Sequence, residues 1–322
     1  MNYQLIITEK RTGNLWDCAP IVEKVELTTE RTGSPGTLKF TLIKAGDISF
    51  VEGDEVVFSV DGQRLFYGWV FTKSKDRWGV IDVTCYDRIR YLKANASYNF
   101  YGLTAGEILT QIAEDFALPL GQIEDTGYKI PSLIEQDKSC IDMINDALNQ
   151  TLLNTNRVYV FFDTPEGLCL RAAENMISDV LLGDRSLVTD YTYKTDIDQQ
   201  TYNSVKLVQP NKETGKGDVY EAVDSGNIGR WGLLRLYQQV DEDLNQAQIK
   251  AQAEATLRYY NRRLRTLSLE SIGVVGLRAG QMVYVRIQNL GDVDLSSYVL
   301  IDRASHTFEN DTHTMSLDLY EL

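Results

Sequence analysis

Apolar and polar residues alternate along much of the first ninety or so positions, a pattern typical of half-buried β-strands. Leu38, Phe40 and Leu42 alternate with Lys39 and Thr41. Asp61-Gly62 lies between the apolar-rich stretches 56–60 and 64–71, which predicts a tight hairpin because glycine tolerates a positive φ. A second hairpin is predicted at the turn 76–79, followed by Ile81, Val83 and Cys85 at alternate positions. The pattern predicts a compact antiparallel unit.

The spacing becomes helical after Asn95. Thr104 and Glu107 have capping-box spacing and precede Ile108, Leu109, Ile112 and Phe116. Ser139 and Asp142 indicate the start of a second helix, and two strands joined by a turn are expected near 157–162 and 168–172. The segment from 95 to about 187 is therefore predicted to be an inserted α+β subdomain.

The β pattern returns at Val188, with a polar hairpin tip expected at 210–217 and strands expected at 266–272, 282–287, 298–305 and 312–320. One long helix is predicted near 241–264. It has acidic residues at its start and basic residues at its end, which suits the helix dipole: Asp241, Glu242 and Asp243, then Arg258, Arg262, Arg263 and Arg265. Ala247, Ala251 and Ala255 form a flat face on this helix, a candidate interface with another element.

Charge and composition limit the possible functions. The 322 residues contain 46 acidic and 32 basic side chains, for a formal charge of −14. Because nucleic-acid affinity depends on Lys and Arg, stable nucleic-acid binding is not expected. No run approaches the length of a membrane helix, so no membrane insertion is expected. The beginning of the chain also lacks the pattern of a secretory signal.

Candidate chemistry is sparse. The four cysteines (Cys18, Cys85, Cys140 and Cys169) have no CxxC spacing and are expected to be buried free thiols. His306 and His313 flank the last hairpin and could face each other as metal ligands, with Asp302, Glu309 or Asp311 as a third ligand. Solvated or cross-strand paired side chains are the ordinary alternative. No motif for phosphate, nucleotide or nucleophilic catalysis occurs, so we expect no catalytic site, metal or cofactor.

The two β regions are similar to each other. Residues 50–60 align without gaps with 277–287, and Gly53 and Gly280 occupy the same position. Residues 37–40 align with 266–269, and the apolar positions 81, 83 and 85 with 315, 317 and 319. The match is an order of elements rather than identity, and short β patterns also match by chance. A real duplication would place one small β domain twice in the chain.

Several stretches resemble hub proteins of contractile phage tails. The first is 85–92, followed by the helix that begins at Thr104 and the long helix that runs into Leu267. The closing stretches 277–281, 305–308 and 313–317 are similar to the ends of XkdQ-like proteins of the PBSX prophage and of related contractile bacteriocins. The resemblance spans essentially the whole chain, although its motifs are diffuse.

The resemblance implies an α+β, mainly β fold with two tube-type, barrel-like β domains (1–94 and 188–322) and the insert 95–187 between them. It also implies a non-enzymatic homotrimer whose six β domains form a pseudo-sixfold ring, related to the central hub of T4-like phages and the base of type VI spikes. The expected partners are the chain itself, the tail tube, the spike and other baseplate proteins. The protein would be made in the bacterial cytoplasm and assembled into a virion, a prophage particle or a bacteriocin.

Two other classes of function remain open. One is a tail-associated peptidoglycan hydrolase, although no hydrolase motif is present. The other is a receptor- or sugar-binding β module that would use aromatic residues such as Trp69, Trp78, Trp231 and the cluster Tyr98, Phe100 and Tyr101. Aromatic residues on strands more often fill cores and interfaces.

Overall fold

The computed structural model describes residues 2–43, 48–210, 217–240, 244–290 and 294–320. The chain is mostly β-structure, and its longest sheet is formed by two β modules. Smaller sheets and helices lie between and within the modules. Within the described residues, no helix is long and apolar enough to cross a membrane.

The first β module contains the strands β1 to β7 and ends in a 3-10 turn, Arg88–Lys93. Asp61 and Gly62 both have positive φ at the β5–β6 turn, as the sequence predicts. The strands are β1 (Tyr3–Thr8), β2 (Leu15–Asp17), β3 (Val22–Glu30), β4 (Thr37–Ile43), β5 (Glu55–Val60), β6 (Gln63–Lys75) and β7 (Val80–Tyr86).

The middle segment has the predicted α+β character. Thr104 caps its first helix, with the capping box to Glu107 formed in both directions, and Ser139 caps its second helix. Its elements are β8 (Asn95–Leu103), α1 (Ala105–Asp115), β9 (Leu120–Ile123), β10 (Ile130–Ser139), α2 (Cys140–Thr155), β11 (Tyr159–Thr164) and β12 (Gly167–Ala172).

The second β module consists of β13 (Ile177–Gly183), β14 (Val188–Asp196), β18 (Leu264–Ile272), β19 (Met282–Ile287), β20 (Leu295–Glu309) and β21 (Thr312–Tyr320). Between β14 and β18 the chain leaves the module, and we call residues 197–263 the excursion. The excursion contains β15 (Ser204–Pro210), β16 (Gly217–Val223), α3 (Ser225–Trp231), β17 (Arg235–Gln239) and α4 (Gln246–Tyr260).

The long helix is shorter than the sequence predicts. It spans 246–260 instead of 241–264, because Asn245 caps its start with a capping box to Gln248 and the last turn ends at Tyr260. Arg258 lies in the last turn, whereas Arg262 and Arg263 follow the helix and Arg265 belongs to β18. Asp241, Glu242 and Asp243 lie outside the described residues, as do 211–216 of the predicted hairpin tip between β15 and β16.

The two modules have the same strand order. In the first it is β3-β4-β7-β6-β5-β1, and in the second it is β14-β18-β21-β20-β19-β13. The last pair differs, since β1 is antiparallel to β5 whereas β13 is parallel to β19. Strand β20 also pairs with β3, so the two modules share one ladder. Neither module closes into a barrel within the described residues. Each has its own hydrophobic core.

Candidate assembly site

The two β modules match in detail at one turn. Gly53 and Gly280 have φ of +89° and +87°. Gly53 donates to the carbonyl of Val70 at 2.8 Å, and Gly280 donates to that of Ile301 at 2.8 Å. A register shift follows Val70 in β6 and Ile301 in β20. Such detailed agreement between loops and bulges supports a true duplication rather than a chance similarity of strands.

The side chains after these glycines have the same role. The Asp54 carboxylate accepts a hydrogen bond from the Val51 amide at 2.7 Å, and the Gln281 side-chain oxygen accepts one from the Arg278 amide at 2.9 Å. Both close the turn that leads into the next strand, β5 in the first module and β19 in the second. The ungapped alignment of 50–60 with 277–287 is therefore a structural equivalence.

The two glycines provide a matched pair of variants. Alanine at either position is strained by about 1–2 kcal/mol because of the positive φ. At Gly280 the added Cβ would also lie 2.3 Å from Val160 of the middle segment, whereas the space at Gly53 is open. We expect Gly280→Ala to lower the free energy of unfolding by about 1–3 kcal/mol more than Gly53→Ala, as overpacking does. Urea unfolding of both variants would test this, and equal losses would contradict it.

The seam between the modules is the pairing of β3 with residues 303–309 of β20. The Thr28 and Ser305 hydroxyls lie 2.9 Å apart across it. The Arg31 guanidinium donates to the Asp302 carboxylate at 2.8 Å at one end of the seam. Val25 and Phe308 pair on its buried face. Backbone, apolar and charged contacts therefore join the modules edge to edge.

A buried ion pair joins the first module to the middle segment. Arg88 donates to Asp163 at 3.0 Å, and their side chains are 9% and 2% exposed. Nearby, Asp87 accepts from the amides of Gly36 and Ile89. Burial and then the charge of Asp163 raise the pKa of Asp87 well above its ordinary value. Burial also raises the pKa of Asp163, although Arg88 opposes the shift.

Arg278 brings the second module to the same place. Its guanidinium donates to the Asp163 carbonyl at 3.2 Å and lies 4.3 Å from the centre of the Phe162 ring. Asp87, Asp163 and Arg278 line a cavity of about 260 Å³. We call the cluster of Arg88, Asp163 and Arg278 the junction. The junction connects both β modules and the middle segment, and it can fix their relative orientation.

The two histidines face each other as the sequence suggests. His306 Nδ1 and His313 Nε2 are 2.9 Å apart, and His306 Nε2 lies 2.6 Å from the Leu277 carbonyl oxygen. Burial lowers the pKa of His306. Burial and the neighbouring His306 lower the pKa of His313 to about 4. Among the described residues, no three His, Cys, Asp or Glu side chains are grouped to hold a metal ion.

The predicted alanine face is divided. Ala247 and Ala251 are exposed, while Ala255 is buried in the region where α4 meets α2 of the same chain. Part of the face is thus used within the chain, and an intermolecular role for Ala247 and Ala251 stays a prediction.

The other predicted residues have mostly structural environments. All four cysteines are free and buried, as expected. Phe100 is buried and stacks on Tyr98, while Tyr101 is exposed. Trp69 contacts Tyr67 and Tyr91 edge-on. Trp78 is 74% exposed on a hairpin tip.

Sequence reasoning missed the junction. Arg88, Asp163 and Arg278 are far apart in the chain, and no local motif connects them. A usable signal was present: Asp163 falls in the predicted turn between two apolar strands, and Arg278 falls in an otherwise matching segment where the first module has Val51.

The chain matches known proteins along nearly its whole length. The model of a family described as YqbQ-like matches residues 25–320. The protein YqbQ of Bacillus subtilis is 33% identical over 94% of this chain and 92% of its own length. XkdQ, a protein of the phage-like element PBSX of the same organism, is 30% identical over 94% of this chain and 93% of its own length.

Solved structures share the fold at low sequence identity. The 43 kDa tail protein of prophage MuSo2 from Shewanella oneidensis has a TM-score of 0.72 at 14% identity, covering 99% of this chain and 98% of its own. The E. coli c3393 protein, a type VI secretion component with structural similarity to the T4 tail proteins gp27 and gp5, has a TM-score of 0.55 at 13% identity, over 94% of this chain and 74% of its own. The family model, which matches residues 25–320, and the 33% identity to YqbQ show that the chain belongs to the YqbQ-like family.

Proposed function

We propose that the chain is the hub of a contractile-tail baseplate. Three copies form a ring in which six β modules meet a hexameric tail tube on one side and a trimeric spike on the other. The observation that carries this proposal is the repeated module, since two equivalent modules in each of three chains give six near-equivalent positions. The homology to XkdQ and the fold shared with prophage tail proteins support a structural role in a phage-type tail or baseplate.

Three units follow from this proposal. They are residues 1–94 and 188–322, the two ring-forming units, and residues 95–187, the inserted unit between them. The last strand of the insert, β13, pairs with β19 and so adds to the second ring-forming unit. The junction of Arg88, Asp163 and Arg278 suits this role, because a ring closes only if each chain holds its two modules at a fixed angle.

A mass measurement in solution tests the assembly. Light scattering or native mass spectrometry is expected to give three times the 36.5 kDa of one chain, alone or after addition of a candidate spike protein. A chain that stays monomeric with the spike protein present would contradict the proposal. A zymogram on peptidoglycan tests the enzymatic alternative, and a cleared band would contradict a purely structural role.

A further inference from the structure

Several strand edges are open among the described residues, and two of them, in β14 and in β6, matter for assembly. Strand β14 pairs with β18 on one side only. Residues 72–75 of β6 pair with β7 on one side, while β5 covers only 63–69 on the other. The side chains of Thr72, Lys73, Ser74 and Lys75 are exposed. Open strand edges of this kind readily pair with another chain.

The seam inside the chain shows how such edges fit. There β3 pairs with residues 303–309 of β20. On the same side of β20, residues 295–300 pair with β19. The equivalent of β3 is β14, and the equivalent of β20 is β6. The two open edges are therefore the two halves of a second seam of the same type.

The ladders fix the register of this second seam. In the first module, Leu27 of β3 pairs with Leu38 of β4. The equivalent of Leu38 is Leu267, which pairs with Tyr193 of β14. Leu27 therefore corresponds to Tyr193. In the second module, His306 of β20 pairs with Met315 of β21. The equivalent of Met315 is Ile81, which pairs with Lys75 of β6. His306 therefore corresponds to Lys75. Because His306 is opposite Leu27, Lys75 of one copy should be opposite Tyr193 of the next.

We propose that β14 of one chain pairs antiparallel with residues 72–75 of a second copy in this register. Ser74 then lies opposite Lys194 and Lys73 opposite Thr195, while the hairpin tip 76–79 of the second copy lies beside Tyr191. The inference rests on the proposed ring, names the surface that closes it, and commits to another copy of this chain as the occupant.

The chemistry of the two edges is complementary. Lys75 would lie opposite Tyr193, and Arg77 on the adjacent hairpin tip would lie near Tyr191. Lys73 already donates to the Phe50 carbonyl of its own chain and lies 4.9 Å from the centre of the Phe50 ring. Cations over tyrosine rings are favourable, more so when water is excluded. Arg77 already lies 4.3 Å from the Trp78 ring centre on the hairpin tip. Tyr191 is 38% exposed, whereas its equivalent in the first seam, Val25, is fully buried.

Cysteine cross-linking tests the register. Ser74 and Lys194 are equivalent to Ser305 and Thr28, whose hydroxyls lie 2.9 Å apart, so the variant S74C/K194C should form disulfides between chains. Within one chain the two positions are seven ladder steps apart, about 33 Å along the sheet. We expect at least tenfold more covalent oligomer, up to the closed trimer, than in the shifted control S74C/T192C. Equal cross-linking of both pairs, or of neither, would overturn the inference.

Aromatic contacts give a second measurement. Tyr191→Ala is expected to raise the concentration at which half of the chains are assembled at least tenfold, since Tyr, Trp and Arg dominate interface energetics. The matched control is Tyr237→Ala, which removes an exposed tyrosine from β17 in the excursion. A Tyr191 variant that assembles like the Tyr237 variant would contradict the seam.

The two proposals can fail separately. A trimeric mass without the 74–194 cross-link would keep the hub and reject this seam. A covalent ladder that extends beyond three chains would confirm the seam and reject the closed ring, because an edge contact that does not close produces a filament.

Discussion

Asp163→Ala is expected to lower the free energy of unfolding by about 3–5 kcal/mol, because it leaves Arg88 as an uncompensated buried charge. The Arg88 backbone amide would also lose its bond to the Asp163 carboxylate, at 3.1 Å. Chemical unfolding measures the loss, and limited proteolysis is expected to cut earlier between the first module and the middle segment.

Two controls make this prediction specific. Glu174→Ala breaks the exposed Arg157–Glu174 pair, whose side chains are 47% and 59% exposed, and should cost no more than about 1 kcal/mol. Arg88→Met combined with Asp163→Leu removes both charges and should recover much of the loss. An Asp163→Ala loss as small as that of Glu174→Ala would show that the junction does not hold the units together.

Acidification is expected to destabilise the protein through the histidine pair. The pKa of His313 is lowered from 6.5 to about 4 in the folded state, so unfolded chains take up protons first as the pH falls. The stability contribution is complete above pH 6.5 and is lost between about pH 6.5 and 4, by up to about 2–3 kcal/mol. His313→Gln should flatten this part of the curve of unfolding free energy against pH.

The difference between the wild type and His313→Gln isolates the histidines. Asp87 and Asp163 are present in both proteins, and their raised pKa values act in the opposite direction, favouring the folded state as the pH falls. Identical pH curves for the two proteins would contradict the assignment.

The sequence predicts the repeated elements well because they are local. Alternation identifies β4, β5 and β7. The capping box of Thr104 and Glu107 and the Ser139 cap place the starts of α1 and α2 within a residue or two. The equivalence of Gly53 and Gly280 is visible because a positive φ favours glycine at both turns. These signals need only neighbouring residues, so tertiary contacts do not obscure them.

Contacts between distant segments are beyond such reasoning. The parallel pairing of β13 with β19 depends on the path of the chain rather than on periodicity. The junction joins Arg88, Asp163 and Arg278 from three separate regions, each preceded by an ordinary strand or loop. The acidic run at 241–243 predicts a start of α4 that is five residues too early, because Asn245 supplies the cap.

The excursion between β14 and β18 breaks the likeness of the two modules. At the matching place in the first module, the short link 31–36 connects β3 directly to β4. In a ring of six modules, every other module would therefore carry a projecting lobe made of β15–β17, α3 and α4. The ring would then have six similar modules but only three peripheral lobes. A partner that binds the lobes would meet threefold symmetry, whereas a partner that binds the modules would meet near-sixfold symmetry.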